Sequence, residues 1–89
     1  MQPTHEQQLG IEAMLNNLLG AWEYDRLCLG MKVAEMNEDI LCVFVSNERC
    51  AAEIEAGHAD DFAAAAEYIL KRPVRRVNFV PSYFSSPLS

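Results

Sequence analysis

The sequence predicts an α+β fold: a small single domain of order α-β-β-α(-α)-β, in which a three-stranded sheet packs on helices. Three observations predict it. Residues 27–47 have the pattern of a β-hairpin, an amphipathic helical stretch precedes them, and an Ala-rich helical stretch and a last strand follow. With 89 residues the chain is long enough for one domain, and we expect residues 1–80 to form it, with residues 81–89 as a flexible tail or linker.

Composition limits the class of protein. The hydrophobic content of 51% argues against disorder and leaves apolar side chains for an interface. No apolar run approaches the ~18 residues that would span a bilayer. The N-terminal residues MQPTHEQQ lack the basic and apolar regions of a signal peptide. We therefore expect a cytoplasmic protein with no membrane contact.

The first helix is predicted to run from His5 to Trp22, with Thr4 as its N-cap and Gly20 ending or kinking it near the tail. Trp22, Tyr24 and Leu27 then fall in a connection that holds at most a short helical turn. The apolar stripe of the helix serves mainly the core, and its outer part is a candidate self-association face. The stripe comprises Ile11, Leu15, Leu18, Leu19 and Trp22.

The hairpin is predicted to pair a first strand over residues 28–35 with a second strand over residues 40–45, through a polar turn at 36–39. The second strand is apolar on both faces, with Ile40, Cys42 and Phe44 on one and Leu41, Val43 and Val45 on the other. Two interpretations stay open for the face that the helices leave free. It is covered by the tail and loops, or it binds a partner.

After the hairpin, Ser46 or Asn47 is a good N-cap for a long helical stretch. Gly57 interrupts this stretch, which predicts either two helices or one kinked helix. The acidic pair Asp60-Asp61 is expected to cap the second part. Pro73 stops the helix, and residues 74–80 form the last strand.

Catalytic and metal chemistry have no support in the sequence. Cys28, Cys42 and Cys50 lie among apolar residues with no CxxC spacing, so we expect reduced thiols that act as small hydrophobic groups. His5 and His58 have no nucleophile near them in sequence. There is no Gly-rich phosphate loop. We therefore expect no enzyme activity, no cofactor and no metal.

Four of the seven basic residues fall within six positions: Lys71, Arg72, Arg75 and Arg76. The simpler interpretation is a helix C-terminus and a solvated strand edge. The functional one is contact with an acidic partner or with nucleic acid. A net charge of −6 argues against a nucleic-acid-binding surface over the whole domain, so at most weak, salt-sensitive binding of a single strand is expected.

The segment Leu41-Cys-Val-Phe-Val-Ser46-Asn47, the apolar positions Ile54, Phe62, Ile69 and Leu70, and Arg76-Val-Asn-Phe-Val80 together resemble the N-terminal domain (domain I) of the bacterial replication initiator DnaA. The resemblance covers about residues 9–80. It implies a K-homology-like fold and a role in DNA replication initiation. Small folds of this kind also occur in the helicase-loader family DciA and in the polymerase III tau subunit.

The resemblance implies a non-enzymatic protein–protein interaction domain that docks a replicative helicase or a replication regulator and self-associates as a homodimer. The partner-binding positions that it implies are Trp22, Tyr24, Asn47, Glu48, Arg49 and Glu53. The alternative is a free-standing small acidic inhibitor or chaperone, phage- or plasmid-encoded, that binds a basic protein surface. A third hypothesis is weak single-strand binding through Arg72, Arg75 and Arg76.

Overall fold

The structure is a computed structural model that describes residues 1–82, and within them the predicted α+β fold class is confirmed. The described chain forms a small domain in which a three-stranded mixed sheet packs on helices. The helices are α1 (His5–Leu19), α2 (Ala21–Cys28), α3 (Glu48–Gly57) and α4 (Ala59–Leu70). The strands are β1 (Lys32–Asn37), β2 (Ile40–Val45) and β3 (Arg76–Pro81). The predicted tail lies mostly outside the described residues.

Helix α1 begins as the sequence predicts and ends earlier. The Thr4 side chain accepts a hydrogen bond from the backbone N–H of Gln7, and the Gln7 side chain accepts one from the backbone N–H of Thr4, so the two form a capping box. Gly20 ends the helix with a φ of 87°, a conformation that L side chains rarely adopt. The prediction that the helix continues to Trp22 is therefore wrong.

The segment from Ala21 to Cys28 is a full helix of eight residues, where the sequence predicted a connection and then the start of a strand. Leu27 and Cys28 are buried in the core, so this short helix is held by packing more than by its own propensity. Because Cys28 is helical, the prediction that the first strand starts there is wrong. The strand starts at Lys32, and Leu29 remains exposed.

The hairpin has a shorter turn and a less regular first strand than predicted. Asn37 pairs with Ile40, so the turn is confined to Glu38 and Asp39, and Glu38 adopts a φ of 55°. A bulge between Val33 and Glu35 shifts the register. Val33 and Met36, three positions apart, therefore both face the core, and simple alternation fails.

Strand β2 is central, with β1 antiparallel on one side and β3 parallel on the other. Its side chains Leu41, Val43 and Val45 are fully buried toward the helices. Those of Ile40, Cys42 and Phe44 face the other way and are half-buried. Among residues 1–82 this second face of the sheet is therefore covered only in part. Both interpretations of this face stay predictions.

The helical stretch after the hairpin is two helices, as one of the two interpretations predicted. The Asn47 side chain caps α3 by accepting from the backbone N–H of Cys50 at 2.9 Å. The break falls at Gly57 and His58, and His58 precedes α4 without a side-chain cap. The prediction that Asp60 or Asp61 caps this helix is wrong, because both lie inside its first turn.

Helices α1 and α4 approach closely at Gly10. A Cβ atom on Gly10 would lie 3.0 Å from Cδ1 of Ile69, so any larger residue here would require the Ile69 side chain to shift. On the sheet side, the ring of Phe62 in α4 meets that of Phe79 in β3 edge to face at 4.9 Å. Strand β3 begins at Arg76, two residues later than predicted, since the N–H of Val74 donates to the Glu67 side chain and pairing with β2 starts at Arg76 opposite Ile40.

Candidate functional site

The most exposed large apolar side chain among those recorded in residues 1–82 is Trp22, at 75% of its full accessibility. It lies in the first turn of α2, directly after the glycine that ends α1. The guanidinium carbon of Arg26, one helical turn further on, lies 5.5 Å from the ring centroid. This is a cation–π contact, and it orients an indole ring that the core does not bury.

Arg26 is itself held by two carboxylates on different helices. Its Nε and Nη2 donate to Glu23 at 3.2 and 2.8 Å, and its Nη1 lies 2.8 Å from Oε1 of Glu53 in α3. The hydrogen bond from Arg26 lowers the pKa of Glu23, although partial burial opposes the shift. The two carboxylates in turn raise the pKa of Arg26. The ion pairs therefore tie α2 to α3 beneath the indole ring.

His58, at the junction of α3 and α4, extends this network. Its Nε2 lies 3.3 Å from Oε2 of Glu23, and its Nδ1 lies 3.5 Å from Oδ2 of Asp61. Asp61 thus contacts the ring of His58, and this contact replaces the capping role that the sequence suggested. We call the set Trp22, Glu23, Arg26, Glu53, His58 and Asp61 the α2–α3 surface.

The other partner-binding positions of the resemblance are placed differently. Tyr24 is half-buried against the core, and this burial raises the pKa of its hydroxyl to about 12. The Asn47 side chain is occupied in capping α3. Glu48 and Arg49 are exposed in the first turn of α3. Arg49 lies four residues before Glu53, so the two share a helix face beside the α2–α3 surface.

The α2–α3 surface contains four residues that the sequence analysis did not select: Glu23, Arg26, His58 and Asp61. The spacing of Trp22, Glu23 and Arg26 on one helical turn was the available signal. It was missed because the first helix was predicted to end at Trp22 and the residues up to Leu27 were placed in a connection with room only for a short helical turn. The contacts with Glu53 and His58 join positions far apart in sequence, and spacing alone does not reveal them.

The outer part of the α1 stripe is narrower than predicted. Ile11 and Leu15 are fully buried in the core, so they are not available to a self-association face. Leu18 is 48% exposed and Leu9 is 49% exposed. Together with Trp22, Leu9 and Leu18 form the exposed apolar surface of α1 and the start of α2.

The four basic residues between the end of α4 and the start of β3 do not converge on one point. The Nζ of Lys71 lies 5.4 Å from the ring centroid of Tyr68, and Nη1 of Arg72 lies 3.0 Å from the sulfur of Met1. Nε of Arg75 lies 3.1 Å from Asp39, while Arg76 is exposed at the start of β3. Glu67 accepts a hydrogen bond from the backbone N–H of Val74. The cluster is therefore cationic, and Asp39 neutralises part of its charge.

The cysteines are free, with Cys28 and Cys50 buried and Cys42 half-buried. Burial, with smaller contributions from Cys50 and Glu23, raises the pKa of the Cys28 thiol to about 12, which keeps it protonated and a poor nucleophile near neutral pH. Among residues 1–82, no group of three or more His, Cys, Asp and Glu side chains is arranged to hold a metal ion.

Comparison with protein-family models, with curated proteins and with solved structures gives no match for this chain. None of the helices in residues 1–82 has both the length and the apolar character needed to cross a bilayer.

Proposed function

We propose that this chain is a non-enzymatic protein-interaction domain that docks its partners through the α2–α3 surface. The observation that carries the proposal is the exposed indole of Trp22, oriented by Arg26, which two carboxylates hold in turn. Tryptophan and arginine are the residues most enriched among those that dominate binding energy at interfaces. A side chain that is already ordered before binding loses less entropy when the partner arrives.

The class of partner comes from the resemblance to DnaA domain I, which implies a replicative helicase or a replication regulator. The order of helices and strands supports this assignment, and so does the ion pair that joins Glu53 to Arg26, the residue that contacts Trp22. In this proposal Asn47, the N-cap of α3, and Glu48 and Arg49 in its first turn contribute beside them. Self-association through Leu18 and Trp22 belongs to the same proposal.

The test is capture of partners by the purified 89-residue chain, identified by mass spectrometry. Trp22→Ala is compared with Tyr68→Ala, since Tyr68 is 66% exposed, also lies beside a cation and is not part of the α2–α3 surface. Circular dichroism verifies that both variants fold. We expect a replicative helicase or a replication regulator to be captured by the unaltered chain and by Tyr68→Ala, and to be lost with Trp22→Ala. Equal capture by both variants would contradict the proposal.

A free-standing acidic inhibitor is the second candidate, and the net charge of −6 is the observation that favours it. Acidic surfaces accelerate association with basic nucleic-acid-binding channels and compete there with the nucleic acid. In the capture experiment, this function predicts a nuclease or a polymerase as the recovered protein, in an amount that falls as salt is raised.

A further inference from the structure

The two edges of the sheet differ in whether the chain itself closes them. On the outer edge of β1, the Gln8 side chain accepts from the N–H of Val33 at 2.8 Å and donates to the carbonyl of Met31 at 3.4 Å. Met1 and Met36 exchange two hydrogen bonds through their backbone groups, both 2.8 Å long. Polar groups of the N-terminal segment therefore occupy much of this edge.

The register of β3 shows which of its backbone groups face away from β2. The N–H of Arg76 donates to the carbonyl of Asp39, and the N–H of Ser82 donates to that of Val45. Backbone groups alternate in direction along a strand, so the N–H and C=O groups of the even-numbered residues point toward β2. The backbone groups of Val77, Phe79 and Pro81 point outward, away from the sheet. Pro81 has no N–H, and an outward position tolerates it.

This outward edge has no partner among residues 1–82. Strand β3 is the last strand of the sheet, and no hydrogen bond from another described residue reaches the outward groups of Val77 or Phe79. Val77 and Phe79 point toward the helices, yet both remain partly exposed, whereas Val43 in the neighbouring strand is fully buried. The outward backbone groups of Val77 and Phe79 therefore have no hydrogen-bond partner among the described residues, and their apolar side chains are partly exposed.

The side chains along the edge define what fits it. A strand added to β3 would place alternate side chains beside Val77 and Phe79, where apolar groups gain burial. The side chains between them would lie beside Arg76 and Asn78, which are exposed on the open face. An acidic residue there meets the Arg76 guanidinium. Arg75 lies immediately before the first residue of β3, and 82% of its side chain is accessible.

We propose that the edge of β3 is a second docking surface, separate from the α2–α3 surface, which binds an extended segment of a partner protein in which apolar and acidic residues alternate. The segment adds a fourth strand to the sheet and pairs with the N–H and C=O groups of Val77 and Phe79. The charges favour this occupant. A basic segment would be repelled by Arg75 and Arg76. A second copy of the chain would be repelled as well, because it would bring the same two cations to the interface.

The test uses the full 89-residue chain, labelled for NMR, and capped peptides of about six residues, the usual length of a strand. One peptide alternates valine with glutamate and the other alternates valine with lysine. We expect the glutamate peptide alone to bind and to slow hydrogen exchange at the amides of Val77 and Phe79. Equal binding of both peptides, no binding, or shifts centred on Trp22 would overturn the proposal.

The contribution of the Arg76 charge is tested by Arg76→Glu. The control is Lys32→Glu, at an exposed position of β1, which changes the net charge by the same amount. Arg76→Glu should weaken the glutamate peptide about fivefold and favour the lysine peptide, while Lys32→Glu leaves the preference unchanged. If Arg76→Glu does not fold, the two peptides on the unaltered chain still decide. The proposal is also overturned if the amides of Val77 and Phe79 are protected from hydrogen exchange when no peptide is present. If that protection is lost on dilution, a second copy of the chain covers the edge. If it is not lost, the chain itself covers the edge.

Discussion

Two exposed aromatic rings on this domain each lie beside a cation, and they differ in what holds that cation. Trp22 lies 5.5 Å from Arg26, and Tyr68 lies 5.4 Å from Lys71. Arg26 is fixed by Glu23 and Glu53 on two helices, whereas no carboxylate among residues 1–82 lies within ion-pair distance of Lys71. Similar ring–cation distances thus occur once with a cation held by two ion pairs and once with a cation that has no ion pair among the described residues.

The difference shows how surface charges acquire a role in recognition. An isolated exposed ion pair contributes little, because ordering two long side chains offsets the attraction. In the α2–α3 surface one arginine satisfies two carboxylates and a ring at once, so the ordering serves several contacts. The Tyr68–Lys71 pair has the same chemistry without that shared ordering, and it provides the comparison for the binding and thermal-stability predictions below.

The largest expected effect is on partner binding. Trp22→Ala should weaken capture of the partner about 30-fold, since a buried tryptophan anchor is worth about 2 kcal/mol or more at an interface. Arg26→Ala should weaken it by a comparable factor, because the indole then loses its orientation. The double variant should be little worse than either single variant. Calorimetric titration measures all three.

The controls for these three variants are Tyr68→Ala and Lys71→Ala, for which we expect the partner affinity to change by no more than about twofold. Additive losses at Trp22 and Arg26 would show that the two side chains contact the partner independently. That result would remove the argument from preorganisation.

The next effect is on stability. Arg26→Ala should lower the thermal midpoint measurably, because it leaves Glu23 and Glu53 facing each other across α2 and α3 without a cation. Lys71→Ala should lower it less. Differential scanning calorimetry at low and high salt distinguishes the two sites, since added salt should shrink the difference. A larger loss for Lys71→Ala would reverse the comparison.

A smaller effect is expected on acid stability. The pKa of Glu23 is lowered in the folded chain, first by its hydrogen bond to Arg26. A lowered folded-state pKa contributes stability above the unfolded value, near 4.5, and that contribution is lost as the pH falls through the folded-state value. Urea titrations should show Glu23→Gln less stable than the unaltered chain at pH 7, with the gap closing as the pH falls below the unfolded value, near 4.5.

The control for this titration is Glu55→Gln, which removes one negative charge from an exposed position of α3 outside the network. A gap for Glu23→Gln that stays constant down to pH 2 would show that the carboxylate has no preferential contact with Arg26 in the folded chain.

The smallest effect is expected at the basic cluster. Four cations, of which Arg75 forms an ion pair with Asp39, support only weak binding of a single-stranded oligonucleotide. Affinity should fall steeply with salt, and replacing Arg72, Arg75 and Arg76 together by Gln should abolish it. Fluorescence anisotropy measures both. Binding that does not depend on salt would exclude this contact.

The parts of the fold that the sequence predicts are those with a local cause. Strand β2 was assigned its full span because both of its faces are apolar, and Gly20 and Asn47 mark helix ends through their own backbone or side-chain chemistry. Helix α2 was predicted only as a connection with room for a short helical turn, because it has only eight residues between two positive-φ glycines, Gly20 and Gly30. The bulge after Val33 defeated simple alternation.

The candidate site was predictable only in part, for a similar reason. Trp22 and Glu53 were selected from the sequence, but the arginine that joins them was not, because the contact depends on how α2 packs against α3. His58 and Asp61 were assigned to a helix break and a cap. Their contact with each other and with Glu23 arises from tertiary packing that no local pattern encodes.

The most direct test of the central claim is an NMR titration of the labelled 89-residue chain with a purified replicative helicase. The claim predicts that the largest shifts occur at the indole N–H of Trp22, at the side chain of Arg26 and at the backbone of Glu53, with Tyr68 unaffected. Shifts confined to the segment from Tyr68 to Arg76, or no shifts at all, would contradict it.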